Sequence, residues 1–455
     1  MTVAAGAGDI RRLITNGPMS AHQIVAIATC VCLNMLDGFD VLVMSFTASG
    51  VSGEWGLNGS QLGLLLSAGL VGMAAGSLLL APRADRVGRR TVVMASVLIV
   101  SLGMLFSGFA RGYVELALLR AATGVGIGGI LAGATVLVSE YTSDKWRITS
   151  SFVYTSGYSL GATLGGAVAA VLIGRFGWRA AFQFGAVASF AMLPVTYLAL
   201  PESLDFLITR QPANALGKLN RLLTKMRLAP IHVLPALESD QVLRRSASLR
   251  RLLTPPLRRS TVLIWTAFFF MMAGYYFVFS WTPKLLTGSG LTTQQGISSG
   301  VLLSFGGITG TILFAFVARA IEIRRLTLMC LLAAAVLMCL FALAVTMLPV
   351  VLVIGVALGG MSTSAMAGFY ALTPVLYGTG LRTSGMGWGI GIGRFGAILA
   401  PLAAGVLVDH GWQAMELFLL FAGAFLIAAV ALIGMKAPAP LGSHERGVSG
   451  MGAPG

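Results

Sequence analysis

The sequence predicts an all-α membrane protein of twelve transmembrane helices arranged in two pseudo-symmetric six-helix bundles. The chain of 455 residues is 56% hydrophobic and only 10% charged, and its mean hydropathy is +0.86. Apolar stretches of the roughly 20 residues that cross a bilayer recur along the whole chain. The two halves also repeat short motifs about 235 residues apart. A soluble globular protein has none of these properties.

The apolar stretches define the predicted spans, which are 23–47, 61–82, 91–110, 113–139, 149–174, 181–200, 260–284, 296–317, 326–345, 348–377, 384–408 and 414–435. They divide the chain into five regions: a cytoplasmic N-terminal segment (1–22), an N-terminal bundle (23–200), a polar cytoplasmic central loop (201–259), a C-terminal bundle (260–435) and a cytoplasmic tail (436–455).

The net charge of +15 does not indicate nucleic-acid binding, because the basic residues concentrate in alternate loops. The loop between the second and third spans carries Arg86, Arg89 and Arg90, and the central loop is rich in arginine. The opposite loops carry few cations. This bias predicts a multi-pass protein of a bacterial-type inner membrane with both termini in the cytoplasm.

The internal repeat favours a transporter over an enzyme. Gly177-Trp178 precedes the sixth span and Gly411-Trp412 precedes the twelfth, while Arg324-Arg325 echoes Arg89-Arg90. Parallel repeats around a site at the membrane midplane are a transporter architecture. The sequence offers no pairing of nucleophile with base and no metal-ligand cluster, so we expect no catalysis, no metal and no cofactor.

Two aspartates, Asp37 and Asp40, lie inside the first span. A carboxylate at bilayer depth costs about 3 kcal/mol on the mildest scale, so both should face protein or water. Residues three apart share a helix face, which predicts a common cavity. Neighbouring like charges disfavour double ionisation, so we expect one aspartate to carry a proton. Alternatively, Asp40 is the structural partner of a helix end.

Two arginines also lie inside spans, Arg120 in the fourth and Arg394 in the eleventh. Arg394 is about ten residues into its span and therefore ~15 Å deep, near the midplane. A guanidinium holds a carboxylate through two parallel hydrogen bonds, so we predict that Arg394 anchors a substrate carboxylate. The alternative is a permanent pair with Asp37 or Asp40. Arg120 shares the aspartates' half and is the predicted coupling partner.

Aromatic residues in the seventh and tenth spans are candidates for contact with a planar ligand. We favour Tyr275 and Tyr276 in the seventh span and Phe369, followed by Tyr370, in the tenth. Others of these aromatic side chains should face lipid. Glu140, at the end of the fourth span, either latches onto loop arginines or forms an ordinary surface pair.

The loop after the second span resembles a signature of the major facilitator superfamily. Its Asp85-Arg86-Val-Gly-Arg89-Arg90 matches the signature closely, although Ala81 replaces the leading glycine. In that superfamily the loop is a charge latch, so the resemblance implies a gating role for Asp85, Arg86 and Arg89. The alternative is that these arginines only set the membrane topology.

Further motifs resemble the aromatic acid:proton symporter family over residues 20–435. They are Asp37-Gly-Phe-Asp40, the glycine-rich run after Arg120, Ser139-Glu140-Tyr141, Leu200-Pro-Glu-Ser203, Arg382-x-x-Gly385 and Gly393-Arg394-x-Gly396. The resemblance implies import of an aromatic carboxylate, benzoate-like or hydroxybenzoate-like, driven by protons. It also implies that Arg382 contributes to transport, and we assign it to gating.

The expected partners are therefore a small aromatic carboxylate, protons and the lipid bilayer, with no nucleic acid, and we expect a monomer. The charges are not duplicated between the repeats: at an offset of about 235, Asp40 aligns with Tyr275 and Arg394 with Leu160. This predicts that the N-terminal half handles the proton and the C-terminal half the anion. The alternatives are a transporter of another small organic acid, a drug:proton antiporter and a membrane sensor of aromatic acids.

Overall fold

The computed structural model describes residues 17–234, 257–345, 347–377 and 381–435, together with residue 15 and residues 252–255. Most of the predicted N-terminal segment, the middle of the central loop and the tail from residue 436 onward lie outside the described residues.

The described residues form fourteen α-helices, and twelve of them are long and apolar enough to cross a membrane. The helices are α1 (Ala21–Trp55), α2 (Gly59–Val87), α3 (Arg89–Ser107), α4 (Tyr113–Tyr141), α5 (Arg147–Phe176), α6 (Arg179–Ala199), α7 (Leu204–Arg210), α8 (Ala215–Lys225), α9 (Arg258–Gly288), α10 (Thr293–Val317), α11 (Ile323–Leu343), α12 (Leu348–Leu376), α13 (Arg382–Asp409) and α14 (Ala414–Gly434). The predicted fold class is confirmed, and each predicted span corresponds to one of α1–α6 or α9–α14.

The largest difference from the predicted spans is at the end of α1, which continues eight residues beyond the predicted limit at residue 47. The extension ends at Gly56, whose left-handed backbone (φ 60°) stops the helix. Polar residues in this stretch suggested a loop. In the structure Ser49 instead hydrogen-bonds Thr287 of α9, so the polar side chains join two helices.

Two short helices, α7 and α8, lie in the region predicted only as a polar loop. Ser203 caps α7 by accepting a hydrogen bond from the Phe206 amide. Leucines bury one face of each helix, Leu207 in α7 and Leu219 with Leu223 in α8. The helical spacing of these leucines was the available signal, and the surrounding arginines obscured it.

Glycine contacts show the internal repeat in three dimensions. A β-carbon added to Gly72 of α2 would lie 1.9 Å from the Ala121 carbonyl oxygen of α4. A β-carbon added to Gly306 of α10 would likewise lie 1.9 Å from the Val356 carbonyl oxygen of α12. Only glycine permits such a close backbone approach, so both helix crossings are conserved between the halves at an offset of about 235 residues.

The crossing of α1 with α5 also recurs as that of α9 with α13, and it refines the alignment of the repeats. Gly161 approaches the carbonyl of Met35, and Gly396 approaches that of Phe269. Continuing this register, Asp40 aligns with Gly274, one residue before the expected Tyr275. The prediction that the aspartates have no charged counterpart holds in the new register.

The two bundles meet at the end of the molecule away from the basic loops, which we call the closed end. There Ser45 of α1 donates a hydrogen bond to the Ser280 carbonyl of α9 (2.7 Å), and Ser67 of α2 donates one to Ile398 of α13 (2.8 Å). Within the described residues, every hydrogen bond that joins α1–α6 to α9–α14 lies toward this end. The end that carries Arg89 and the other loop arginines is called the basic end.

Asp409 makes the most polar of these contacts. Its carboxylate, at the end of α13, accepts hydrogen bonds from the backbone amides of Gly59 (2.6 Å) and Ser60 (2.8 Å) at the start of α2. It also accepts one from the Ser60 hydroxyl. A negative charge at a helix N-terminus satisfies free amides and interacts favourably with the helix dipole. Asp409 therefore ties the second half to the first at the closed end.

Removing this charge should let the closed end open more often. We expect Asp409→Asn to weaken the contact by about 1 kcal/mol, because a neutral amide interacts less strongly with the helix N-terminus. Pulsed electron resonance between spin labels at Arg111 and Gly288, with Cys32 replaced by serine, should then show a larger long-distance population.

Asp144→Asn is the matched control, since Asp144 forms an exposed pair with Arg147 (2.7 Å) outside this interface. Identical distance distributions for wild type and Asp409→Asn would show that Asp409 does not hold this end closed.

Candidate functional site

The Asp40 carboxylate forms a two-pronged ion pair with Arg120 of α4. Arg120 Nη1 donates to Oδ1 and Nη2 donates to Oδ2, each at 2.8 Å. Nη2 also donates to the backbone carbonyl of Asp40, again at 2.8 Å. Both residues are only 2% exposed. Arg120, which the sequence suggested as the coupling partner of the two aspartates, is thus paired with Asp40 in this conformation.

The remaining surroundings of Arg120 are apolar. Its guanidinium carbon lies 5.8 Å from the centre of the Phe182 ring, and Nη1 lies 3.6 Å from the Met104 sulfur. A buried charge in such a setting depends on its counter-charge, because loss of the partner would leave the remaining charge uncompensated in apolar surroundings. The pair therefore fixes the position of α1 against α4.

The two residues between the aspartates pack against other helices of the same half. A β-carbon on Gly38 would lie 1.9 Å from the Tyr158 carbonyl oxygen, so glycine lets α5 approach α1. The Phe39 ring meets the Phe184 ring edge to face, with centroids 5.6 Å apart. The motif thus fixes α1 on two further sides and brings Tyr158 beside Asp37.

Asp37 is as buried as Asp40 but is not paired in the same way. It is 2% exposed, and its Oδ1 atom has no hydrogen-bond partner among the described residues. The charged groups close enough to act on it are Asp40, on its own helix, and Arg394, on the opposite half. A buried carboxylate oxygen without a partner is costly and is common at functional sites.

Arg394 lies across the interface from Asp37 and is partly exposed. In the described part of the chain, no carboxylate lies within ion-pair distance of its guanidinium. It is near enough to act on Asp37, Tyr276 and Tyr370. The alternative of a permanent ion pair between Arg394 and Asp37 or Asp40 is absent from this conformation, so the guanidinium is available to a ligand anion.

The aromatic candidates occupy different positions. Tyr276 is partly exposed, whereas Tyr275 is 4% exposed and stacks on Phe279 with centroids 4.5 Å apart. Phe369 is completely buried, 5.3 Å from Phe268, and presents no surface to a ligand in this conformation.

Two further tyrosines reach the site: Tyr370, which was named from the sequence only as the neighbour of Phe369, and Tyr158, which was not selected. Tyr370 follows Phe369 and is partly exposed near Tyr276 and Arg394. Tyr158 is near both Asp37 and Tyr276. The available signal for Tyr158 was Gly38, since a glycine beside two buried aspartates indicates a close neighbouring helix.

Four of the five predicted gating residues lie at the basic end of the first half, and three of these four form one cluster of ion pairs. Arg89 pairs with Glu140 and with Asp85 (3.3 Å) and also donates to the Ser203 hydroxyl (3.0 Å). Glu140 further accepts from the Ser203 hydroxyl and from the Leu204 amide, each at 3.0 Å. Glu140 therefore contacts a loop arginine. The fourth residue, Arg86, is exposed and has no ion pair with any described residue.

Glu202 and Ser203 are cluster residues that the sequence had marked only as part of a motif. Glu202 accepts from the amides of Arg90 (3.1 Å) and Ser203 (2.9 Å), and its carbonyl accepts from the Tyr141 hydroxyl (2.7 Å). The fifth predicted gating residue, Arg382, lies in the other half and donates to the Pro374 carbonyl at 3.0 Å. The cluster thus joins helices of one half, and Arg382 is outside it.

Twelve helices long enough to span a membrane, arranged in two repeats with charged residues between the halves, are typical of a membrane transporter. The family model described as Major Facilitator Superfamily matches residues 30–388. The chain therefore belongs to the major facilitator superfamily, whose members are transporters and not enzymes.

Relatives narrow this assignment. The chain is 33% identical to the gallate transporter of Pseudomonas putida, covering 93% of this chain and 94% of that protein. It is 30% identical to the 4-hydroxybenzoate transporter PcaK of Pseudomonas aeruginosa (95% and 97%) and 25% identical to the benzoate transport protein of Acinetobacter baylyi (88% and 87%). The family resemblance inferred from the sequence is confirmed.

Solved structures support the fold. The crystal structure of a D-xylose-proton symporter matches with a TM-score of 0.70 at 15% identity, covering 90% of this chain and 97% of that one. An inward open conformation of the Escherichia coli xylose transporter XylE matches with a TM-score of 0.70 at 16% identity (90% and 95%).

The different environments of the two aspartates predict different effects on stability. Asp40→Asn leaves the buried Arg120 without its counter-charge and should destabilise the protein by about 3–5 kcal/mol. Asp37→Asn removes a charge that has no ion-pair partner and should leave stability unchanged or raise it. Thermal unfolding of the two purified variants in the same detergent measures the difference.

The two substitutions lie three residues apart on one helix and make the same chemical change, so each controls for the other. Equal melting temperatures would contradict the structural role assigned to Asp40.

Proposed function

We propose that this protein imports an aromatic carboxylate of the benzoate or hydroxybenzoate type together with protons, by alternating access. One observation carries the proposal: Asp37 and Arg394 are close enough to interact electrostatically across the two halves, and neither has an ion-pair partner among the described residues. The names of the relatives, which include gallate, 4-hydroxybenzoate and benzoate transporters, supply the substrate class.

In the proposed mechanism Arg394 binds the substrate carboxylate, because a guanidinium presents two parallel donors to two carboxylate oxygens. Tyr276 and Tyr370 contact the ring, and Tyr275 supports Tyr276, whose ring centroid is 5.3 Å from its own. In the conformation described Phe369 is buried in the core, where it supports these tyrosine side chains from behind and does not contact the ligand.

Asp37 is the proposed proton site. When it is ionised, its charge attracts Arg394 and competes with a substrate anion. A proton on Asp37 removes that competition and leaves Arg394 free for the substrate carboxylate. One anion and one proton then enter together, and the net charge of the loaded site is unchanged. Asp40 and Arg120 assist by holding α1 in place, and the Asp40 carboxylate adds negative potential near Asp37.

The proposed orientation places the basic end in the cytoplasm by the positive-inside rule, with both termini on that side. The closed end then faces outward, and the conformation is open to the cytoplasm. Closing the basic end would bring Asp85, near the end of α2, toward Arg382, at the start of α13. The other ends of these helices are joined by Asp409. We propose that Asp85, Arg86, Arg89, Glu140 and Arg382 control this step.

Asp37→Asn should abolish uptake driven by a proton gradient, because the amide cannot accept the proton. The measurement is accumulation of radiolabelled 4-hydroxybenzoate by proteoliposomes with an acidic exterior. Exchange of internal for external substrate needs no net proton movement and should continue in the variant.

Glu322→Gln is the control for this experiment, since Glu322 forms an exposed pair with Arg325 (3.3 Å). Gradient-driven accumulation by Asp37→Asn at the wild-type rate would eliminate Asp37 as the proton site.

Arg394→Lys should weaken substrate binding at least about tenfold, since lysine keeps the charge but loses the two parallel donors. Isothermal titration of the purified variant with 4-hydroxybenzoate measures the dissociation constant. Arg319→Lys is the matched control, because Arg319 lies over the Phe316 ring, 5.2 Å from its centre, away from the site. An unchanged dissociation constant for Arg394→Lys would remove Arg394 from the site.

A further inference from the structure

Three of the tyrosine hydroxyls near Arg394 have no hydrogen-bond partner within the described part of the chain. They belong to Tyr158 of α5, Tyr276 of α9 and Tyr370 of α12, and all three side chains are partly exposed. These hydroxyls lack a partner among those residues but are not fully buried, so each reaches open space between the helices.

Three other tyrosines with buried side chains have hydrogen-bonded hydroxyls. The Tyr141 hydroxyl donates to the Glu202 carbonyl (2.7 Å), Tyr154 lies 3.3 Å from the Thr135 hydroxyl, and Tyr377 lies 3.3 Å from the Thr261 hydroxyl. Buried tyrosine hydroxyls normally find such partners. The unpartnered ones are thus concentrated at the site that holds Asp37 and Arg394.

The three partly exposed tyrosines come from both halves of the protein, Tyr158 from the first and Tyr276 and Tyr370 from the second. Tyr276 and Tyr370 are near enough to each other and to Arg394 to interact electrostatically. Tyr158 is similarly near to Tyr276 and to Asp37. A planar ligand whose carboxylate is held at Arg394 would therefore have phenol groups around its ring.

We propose that Tyr158, Tyr276 and Tyr370 form a subsite for hydroxyl groups on the substrate ring, so that the substrate is a hydroxylated aromatic carboxylate and not unsubstituted benzoate. This inference rests on the proposed function. Each phenol both donates and accepts a hydrogen bond, which suits the hydroxyls of a ligand that also do both.

The energetic consequence is discrimination against an unsubstituted ring. A bound ligand excludes water from the tyrosine hydroxyls, and a ring without hydroxyls gives them no replacement partner. Sites built to hydrogen-bond a substrate hydroxyl reject the analogue that lacks it much more strongly than apolar pockets reject an added group.

Ring stacking alone does not explain the choice of tyrosine. The chain contains 24 phenylalanines against 9 tyrosines, and α9 itself carries Phe268, Phe269 and Phe270 about two turns before Tyr276. Phenylalanine offers the same aromatic face without a polar group to desolvate. The hydroxyls are therefore the distinguishing feature of these three positions.

The test compares benzoate, 4-hydroxybenzoate and gallate as titrants of the purified full-length protein. We expect wild type to bind gallate at least about tenfold more tightly than benzoate. In Tyr158→Phe, Tyr276→Phe and Tyr370→Phe the ratio of the benzoate to the gallate dissociation constant should fall severalfold. Tyr113→Phe makes the same change at the first residue of α4, away from the proposed subsite, and its ratio should stay at the wild-type value.

The outcomes are distinguishable. Equal wild-type affinities for the three acids, or a ratio that none of the three site variants changes, would overturn the hydroxyl subsite and leave the proposed function standing. Failure of all three acids to bind wild type would overturn the proposed function itself. Because the readout is a ratio within one protein sample, partial loss of folded protein does not alter it.

Discussion

The buried ion pair between Asp40 and Arg120 is the interaction on which the rest of the site depends. It holds α1 against α4 through three hydrogen bonds of 2.8 Å in surroundings that are otherwise apolar. With α1 fixed in rotation, the residue one turn earlier, Asp37, is directed toward the other half, where Arg394 lies. One aspartate is thereby held in a stable pair, and the other is left without one.

The fold could be predicted from the sequence because hydropathy and charge act over whole segments. Twenty apolar residues specify a span regardless of their order, and alternate basic loops specify the connections between spans. The same averaging hid α7, where Leu207 is buried within a basic stretch. It also hid Asp409, whose role depends on the N-terminus of a helix some 350 residues earlier in the chain.

The site was predictable only in part, because its chemistry depends on the direction of single side chains. Asp37 and Asp40 share a helix face and a residue type, so no local pattern states which of them meets Arg120. Phe369 and Tyr370 are adjacent and therefore point about 100° apart on the helix. Both rings lie near Phe268, with centroids 5.3 Å and 6.1 Å away, yet Phe369 is completely buried and Tyr370 is partly exposed. Only the packing in three dimensions separates these two neighbours.

The two halves share the same helix crossings but differ in their buried charges. The glycine crossings repeat, but Asp37 aligns with Met271 and Asp40 with Gly274, whose position lies against an aromatic ring in the C-terminal half. A carrier with duplicated charges would hold carboxylates on both sides of its centre and repel an anionic substrate. In the proposed mechanism the buried carboxylates Asp37 and Asp40 lie in one half, and Arg394 in the other half attracts the substrate anion. The proposed site lies at the interface between the halves, which is also the surface that rearranges in the proposed alternating access, so that substrate binding and movement involve the same residues.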